Sequence, residues 1–340
     1  MSEAATLLRR CEVRSAPAAP PRLLHVRCLS LAGFHRLAVW HWPAAGDAVP
    51  VICVHGLTRN ARDFDTLARE LVRRGRSVYC PDLVGRGRSD WLRDPLQYHL
   101  GQYAADMINV VNLIGCEQVD WVGTSLGGLV GMTLAAQPGH PIRRLLLNDI
   151  GPFIPSAALR RLGRYIDAPV RHFASLAEAE LHHRQTLAPF GALGEAEWRH
   201  LTEHSLKPAV GRPGFEMRYD PAIARTYHPW QYFNVDLWSS WRRIDCPVRV
   251  LRGADSDFIS TATCQRMADS GPRASVVELA GCGHAPTLTR PDQIAAVLDF
   301  VDTGDPTECS QKRQVDAPER AAMRRAGKGR RRRGFMSASE

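Results

Sequence analysis

No run of about 18 apolar residues occurs in the 340-residue chain, so no helix is expected to span a bilayer. The first residues carry Arg9 and Arg10 but no apolar stretch after them, so a secretory signal is not expected. Glu3 and Glu12 argue against a mitochondrial transit peptide, a segment poor in acids. Nine cysteines, at 11, 28, 53, 80, 116, 246, 264, 282 and 309, include no Cys-x-x-Cys pair. An odd number without a framework reads as reduced thiols in a cytoplasmic protein. The Gly85-Arg86-Gly87 run is not extended to Gly-x-Gly-x-x-Gly and no Walker lysine follows, which removes a phosphate-binding reading of that loop.

What is present suits a sizeable core: 44% of the residues are hydrophobic. The length exceeds the usual single domain, and α/β folds commonly run to this size. One core with an insertion and loose ends is therefore expected. Residues 1–22 are rich in Ala and Pro and read as a flexible segment. The net charge of +9 is partly local, because residues 302–340 hold ten Lys or Arg against six Asp or Glu. The run Arg324, Arg325, Lys328 and Arg330–Arg333 has almost no apolar partners, so residues 303–340 read as a disordered basic tail. Such an arm can contact nucleic acid or an anionic surface; a solvated tail without a partner is the preferred reading.

Chemistry concentrates at Val119–Gly128. Val119-Asp120-Trp121-Val122 suits a buried strand, and Leu129, Val130, Met132, Thr133 and Ala136 recur at helical spacing. Between them lies Gly123-Thr124-Ser125-Leu126-Gly127, and strand, Gly-x-Ser-x-Gly, helix is the layout of a nucleophile elbow. The turn is sharp: Ser125 is expected at a strained φ/ψ, with glycines where side chains would collide with backbone. The Leu126 N–H then opens a helix and points where an oxyanion can form.

The rest of the chain alternates strand and helix. Leu24–Leu31 and Arg36–Trp42 read as an edge hairpin, and Val51–Val54 as a buried parallel strand ending in His55-Gly56. Helices are expected over 61–74 and 101–115, and strands over 77–80 and 144–149. The stretch 153–243 lacks strand runs and shows helical spacing at 177–187 and 195–204, with Tyr227, Trp230, Tyr232, Phe233, Trp238 and Trp241 crowding its end. Strands at 248–253 and 274–279 and a last helix follow. His284 stands in Gly281-Cys282-Gly283-His284 after the last strand, where glycines let the loop fold back over the elbow. It is the candidate general base, its ordinary pKa of about 6.5 suiting proton transfer near neutrality. His55 is expected to brace its loop instead. His182 and His183 diverge by about 100° on a helix and have no third ligand at suitable spacing, so no metal is expected.

His55-Gly56, Asp82-Leu83-Val84-Gly85-Arg86-Gly87-Arg88-Ser89, the elbow, and Asn148-Asp149-Ile150-Gly151-Pro152 together resemble the α/β-hydrolase fold superfamily. Within it they are similar to bacterial esterases, enol-lactonases and C–C hydrolases. The resemblance covers residues 25–302 and is weakest from 155 to 243. It implies a mostly parallel eight-stranded sheet with helices on both faces, a core of 23–152 and 244–302, and a helical cap at 153–243. It also implies the Leu57 N–H as second oxyanion donor. For the acid, the Leu-Arg-Gly-x-x-Ser-Asp pattern implies Asp257, with Asp255 and Asp149 as alternatives. The activity implied is hydrolysis of a small or medium carboxylic ester by Ser125, His284 and Asp257 through an acyl-enzyme, without cofactor. A lactonase, a C–C hydrolase or a binding protein on the same scaffold are the alternatives.

Overall fold

The computed structural model describes residues 20–166 and 172–303. The basic tail from 304 and the segment 1–19 lie outside the described residues, as does any nucleic-acid contact of that tail. Eight strands form one sheet: β1 (Arg22–Ser30), β2 (Gly33–Trp42), β3 (Val51–Val54), β4 (Val78–Pro81), β5 (Val119–Thr124), β6 (Ile142–Asn148), β7 (Val248–Gly253) and β8 (Ser275–Leu279). Their spatial order is β1-β2-β4-β3-β5-β6-β7-β8. The β1–β2 hairpin turns at Gly33, whose φ of 112° is open to glycine, and β2 runs antiparallel to β4. From β4 to β8 all neighbours are parallel.

Strand alternation divides the core. Ile52, Val54, Trp121, Leu145 and Leu147 face one side, packed with Met107 and Val110 of α2 (Leu100–Ile114) and Val130 and Met132 of α3 (Leu126–Ala135). Val51, Cys53, Val122 and Leu146 face the other, against Leu67 and Leu71 of α1 (Asp65–Arg73) and the C-terminal helix Pro291–Asp302. The sheet is thus mostly parallel with helices on both faces, as expected. Helix α1 begins later than its spacing suggests because Ala61–Phe64 form a 3-10 turn, capped by the Asn60 side chain accepting from Arg62 N.

Between β6 and β7 the chain leaves the sheet. Three helices, α4 (Ser156–Ile166), α5 (Leu176–Thr186) and α6 (Glu195–Ser205), dominate this excursion. It is not purely helical, contrary to expectation. Short strands His172–Phe173, Phe215–Met217 and Leu206–Pro208 form a three-stranded sheet, and Phe153–Ile154 pairs with Val235–Asp236. Strands of two or three residues are too short to leave a period in the sequence. They pay off in a local core of Phe173, Ala179, Leu206 and Met217. The aromatic crowd also splits: Trp238 and Trp241 join the main core, 6.5 Å apart edge to face, whereas Tyr232 and Phe233 are exposed.

A very close backbone approach joins the elbow helix to β3. A Cβ on Gly127 would run into the Val54 carbonyl, and one on Gly123 into the Gly127 carbonyl. Backbone obstacles cannot rotate away, so Gly127→Ala should destabilise the protein by about 3 kcal/mol or more. Urea unfolding measures this, and a loss below about 1 kcal/mol would contradict the close approach.

Candidate active site

Strand β5 delivers Ser125 to the carboxyl edge of the sheet with φ 50° and ψ −113°, a conformation that L-residues occupy only under constraint. The constraint is visible: Ser125 N donates to Asn148 O at 3.0 Å, and Ser125 O accepts from Gly128 N and Leu129 N. The hydroxyl is left at the surface of a nearly closed site, with the residue 8% exposed. His284, on the loop after β8, meets it through Nε2 at 2.9 Å. The other ring nitrogen, Nδ1, lies 2.7 Å from Asp149 Oδ2. With the proton on Nδ1, the line runs Ser125 Oγ–H to Nε2 and Nδ1–H to the carboxylate, the arrangement that makes a hydroxyl nucleophilic.

Asp149 is wholly buried and has φ 55°. Its Oδ1 accepts from Gly253 N at 2.8 Å, and its Oδ2 also accepts from Ser256 Oγ at 2.6 Å. The imidazole is held on its flat side by Phe258, stacked at 3.7 Å with the planes 13° apart. The loop itself is tied down by Asn148 Nδ2, which donates to Thr124 Oγ1 and to Pro286 O.

Residues 51–297 match the sequence profile of the Alpha/beta hydrolase family. The chain belongs to that family. It is 42% identical over 289 residues to the 3-hydroxybutyrate-oligomer hydrolase of Cupriavidus necator, a match spanning 83% of this chain and 98% of that protein. It is 24% identical to the 2-hydroxymuconate semialdehyde hydrolase of a Pseudomonas species, over 77% of this chain and 89% of that one. An alpha/beta hydrolase of known structure from Novosphingobium aromaticivorans superposes with a TM-score of 0.72 at 31% identity, covering 83% of this chain and 99% of the other.

Within this hydrolase the expected acid is corrected. Asp257 does not reach His284: its neighbour Phe258 is buried against the ring, so the Asp257 carboxylate turns outward, where Arg161 of α4 forks it at 2.5 and 2.7 Å. Asp255 is exposed, and its backbone N–H donates to Cys282 O of the histidine loop. The alternative Asp149 is the acid the geometry brings in. Asn148 pairs in register with Thr124, so Asp149 and Ser125 are side by side at the sheet's edge.

His55 braces rather than titrates. Its Nδ1–H donates to Gly56 O at 2.7 Å, and its Nε2 accepts from Leu83 N at 2.9 Å. Burial pushes its pKa down to about 3, so the ring is neutral and both bonds persist. Gly56 lies close enough that a Cβ there would touch the Ser125 Cβ at 3.7 Å. Of the two expected oxyanion donors, Leu126 N–H opens α3, among the first-turn amides that no helix carbonyl reaches. Leu57 N–H belongs to the peptide that His55 holds.

A cavity of about 280 Å³ adjoins the line, bounded by Gly56, Thr124 and Pro286 on the core side and by Phe190, Leu193 and Leu201 of the excursion. Two groups elsewhere could offer three metal ligands, Cys28/His35/Asp106 and Asp65/His200/His204. Protein contacts already engage both: His35 Nε2 pairs with Asp106 at 2.9 Å, and Arg62 forks Asp65 at 2.8 and 2.5 Å. His183 is a buried ring bonded to Thr202 Oγ1, its pKa pushed down to about 3 by burial.

Two measurements check this site. Asp149→Asn should lower kcat by about 10³–10⁴ by losing the correct tautomer, while Asp257→Asn should leave kcat within about threefold; the reverse pattern would restore Asp257. For His55 the folded pKa lies below the ordinary 6.5, so unfolding takes up a proton between about pH 6.5 and 3. Its stability contribution is whole above pH 6.5 and falls by up to about 1.4 kcal/mol per pH unit below it. Urea titrations from pH 7 to 5 should show a shallower slope in His55→Gln; an equal slope would mean that the ring is not held neutral.

Proposed function

We propose that the protein is a serine hydrolase of carboxylic esters in which Ser125 is the nucleophile, His284 the general base and Asp149 the acid that orients it. The hydrogen-bonded line from Asp149 through His284 to the strained Ser125 carries this reading. As Ser125 Oγ attacks the acyl carbon, His284 Nε2 takes its proton and Asp149 supports the imidazolium. The Leu57 and Leu126 N–H groups receive the oxyanion. His284 then protonates the departing alcohol, and the same imidazole activates the water that hydrolyses the acyl-enzyme. No cofactor enters these steps.

The substrate class follows from likeness. The similarity to a 3-hydroxybutyrate-oligomer hydrolase supports short hydroxyacid oligoesters. Residues 153–243 act as the cap, since Phe190, Leu193 and Leu201 line the cavity together with Gly56 and Thr124 of the core. Among the described residues the cysteines at 28, 53, 80, 246, 264 and 282 form no disulfide, which supports a cytoplasmic location. The second reading, C–C bond hydrolysis on the same residues, rests on the likeness to the 2-hydroxymuconate semialdehyde hydrolase.

Ser125→Ala should abolish hydrolysis of p-nitrophenyl butyrate and of 3-hydroxybutyrate dimer and trimer, with kcat down by several orders of magnitude and the unfolding midpoint kept. Wild-type protein should be labelled by a fluorophosphonate at one serine. Turnover surviving in the alanine variant would refute the assignment. A higher kcat/KM for a vinylogous diketone than for any ester would favour the second reading.

A further inference from the structure

Arg86 is fully buried, whereas Arg59, Arg76 and Arg252, the other deeply set arginines, keep 6–8% exposure. Those three pair with carboxylates: Asp63, Asp120 and Glu278 respectively. Arg86 instead donates from Nε to Leu57 O at 2.8 Å, and from one terminal nitrogen to Val84 O at 2.7 Å and Tyr103 Oη at 2.8 Å. The rings of Tyr103 and Tyr98 lie 4.9 and 5.7 Å from its central carbon. Among the described residues its other terminal nitrogen is buried without a hydrogen-bond partner. Taking a guanidinium out of water without a contacting anion is expensive, so a fold that keeps one there sets it against something else.

One of its bonds identifies that purpose. Gly56 O is held by His55 Nδ1–H, and the next carbonyl, Leu57 O, is held by Arg86 Nε–H. Fixing both carbonyls fixes the two peptide planes that flank Leu57, and with them the direction of the Leu57 N–H. The loop supplying Arg86 is itself anchored to the excursion: Gly87 N donates to Arg218 O at 3.0 Å, and Asp220 N to Gly85 O at 2.8 Å. We infer that Arg86 is a positioning residue for the oxyanion hole, locking the Leu57 peptide from behind and setting a fixed positive charge on the far side of that peptide. A charge held in a dry site costs no reorganisation at the moment of reaction. It favours the tetrahedral oxyanion over the neutral ester, so its effect falls on kcat and not on ground-state binding.

This inference rests on the serine-hydrolase reading, and the experiment separates the two. Arg86→Met, Arg86→Gln and Arg86→Lys are compared with wild type, each rate divided by the number of sites that a fluorophosphonate titrates. Failure of wild type to label would overturn the serine reading itself. Given labelling, Arg86→Met should lose about 10–100-fold in kcat per labelled site with KM within about threefold, less than the loss of a whole donor. Affinity for a boronic acid, a tetrahedral-adduct mimic, should fall by the same factor, while affinity for butyrate is kept. Arg86→Lys, which keeps charge without the fork, should lie between Met and wild type. A merely structural role predicts fewer labelled sites with normal kcat at each, and that result would overturn the proposal. Should the methionine variant not fold, Arg86→Gln, which keeps a donor without charge, decides by the same ratio of kcat to boronate affinity.

Discussion

A carboxylate with no exposure to water must find its hydrogen bonds inside the protein, and much of this site follows from how Asp149 does so. Gly253 N–H and Ser256 Oγ–H occupy part of its capacity from the loop after β7, and the imidazole of His284 takes the rest. Three segments distant in sequence are thereby fixed around two oxygens. The histidine cannot swing away without leaving a buried charge less well met, and Ser125, at the next strand's end, is presented to the ring's other nitrogen.

The same economy governs the opposite wall. His55 and Arg86 contribute little that reacts, yet they grip successive carbonyls of the 56–57 segment. A neutral imidazole suits this task better than a charged one, because each nitrogen has a fixed role: one donates to Gly56 O and the other accepts from Leu83 N. The backbone of this wall is ordered by side chains that bond its carbonyls.

Much of this was legible in the chain because backbone crowding limits the alphabet. At 123 and 127 any Cβ meets a carbonyl, so the elbow must be written in glycine. Continuous apolar runs such as Val51–Val54 mark strands covered on both faces, and alternate residues do divide between the two cores. What the sequence could not decide was which of three acids turns inward. The answer depends on Phe258 choosing the imidazole and on Arg161, 96 positions away, taking Asp257. Arg86 was equally hidden: its Gly-x-Gly setting carries no sign of a role, which only its burial and its contact with Leu57 reveal. The short strands of the excursion escaped for a simpler reason, being too brief to set a period.

The place of Asp149 has a consequence for how this scaffold can be recombined. It is the first residue beyond β6, and its partners Gly253, Ser256 and His284 all come after the chain has rejoined the sheet at β7. Every bond to the carboxylate therefore belongs to the sheet and its loops, none to the excursion. Chimeras that exchange the excursion beyond Pro152 and before Ile244 keep every bond to the carboxylate, but they lose Pro189 O, which accepts from Gly283 N beside His284, and Arg161, which holds Asp257 outward. A lineage could vary the rest of the excursion freely, provided that the contacts at Pro189, Arg161 and Arg218 are rebuilt.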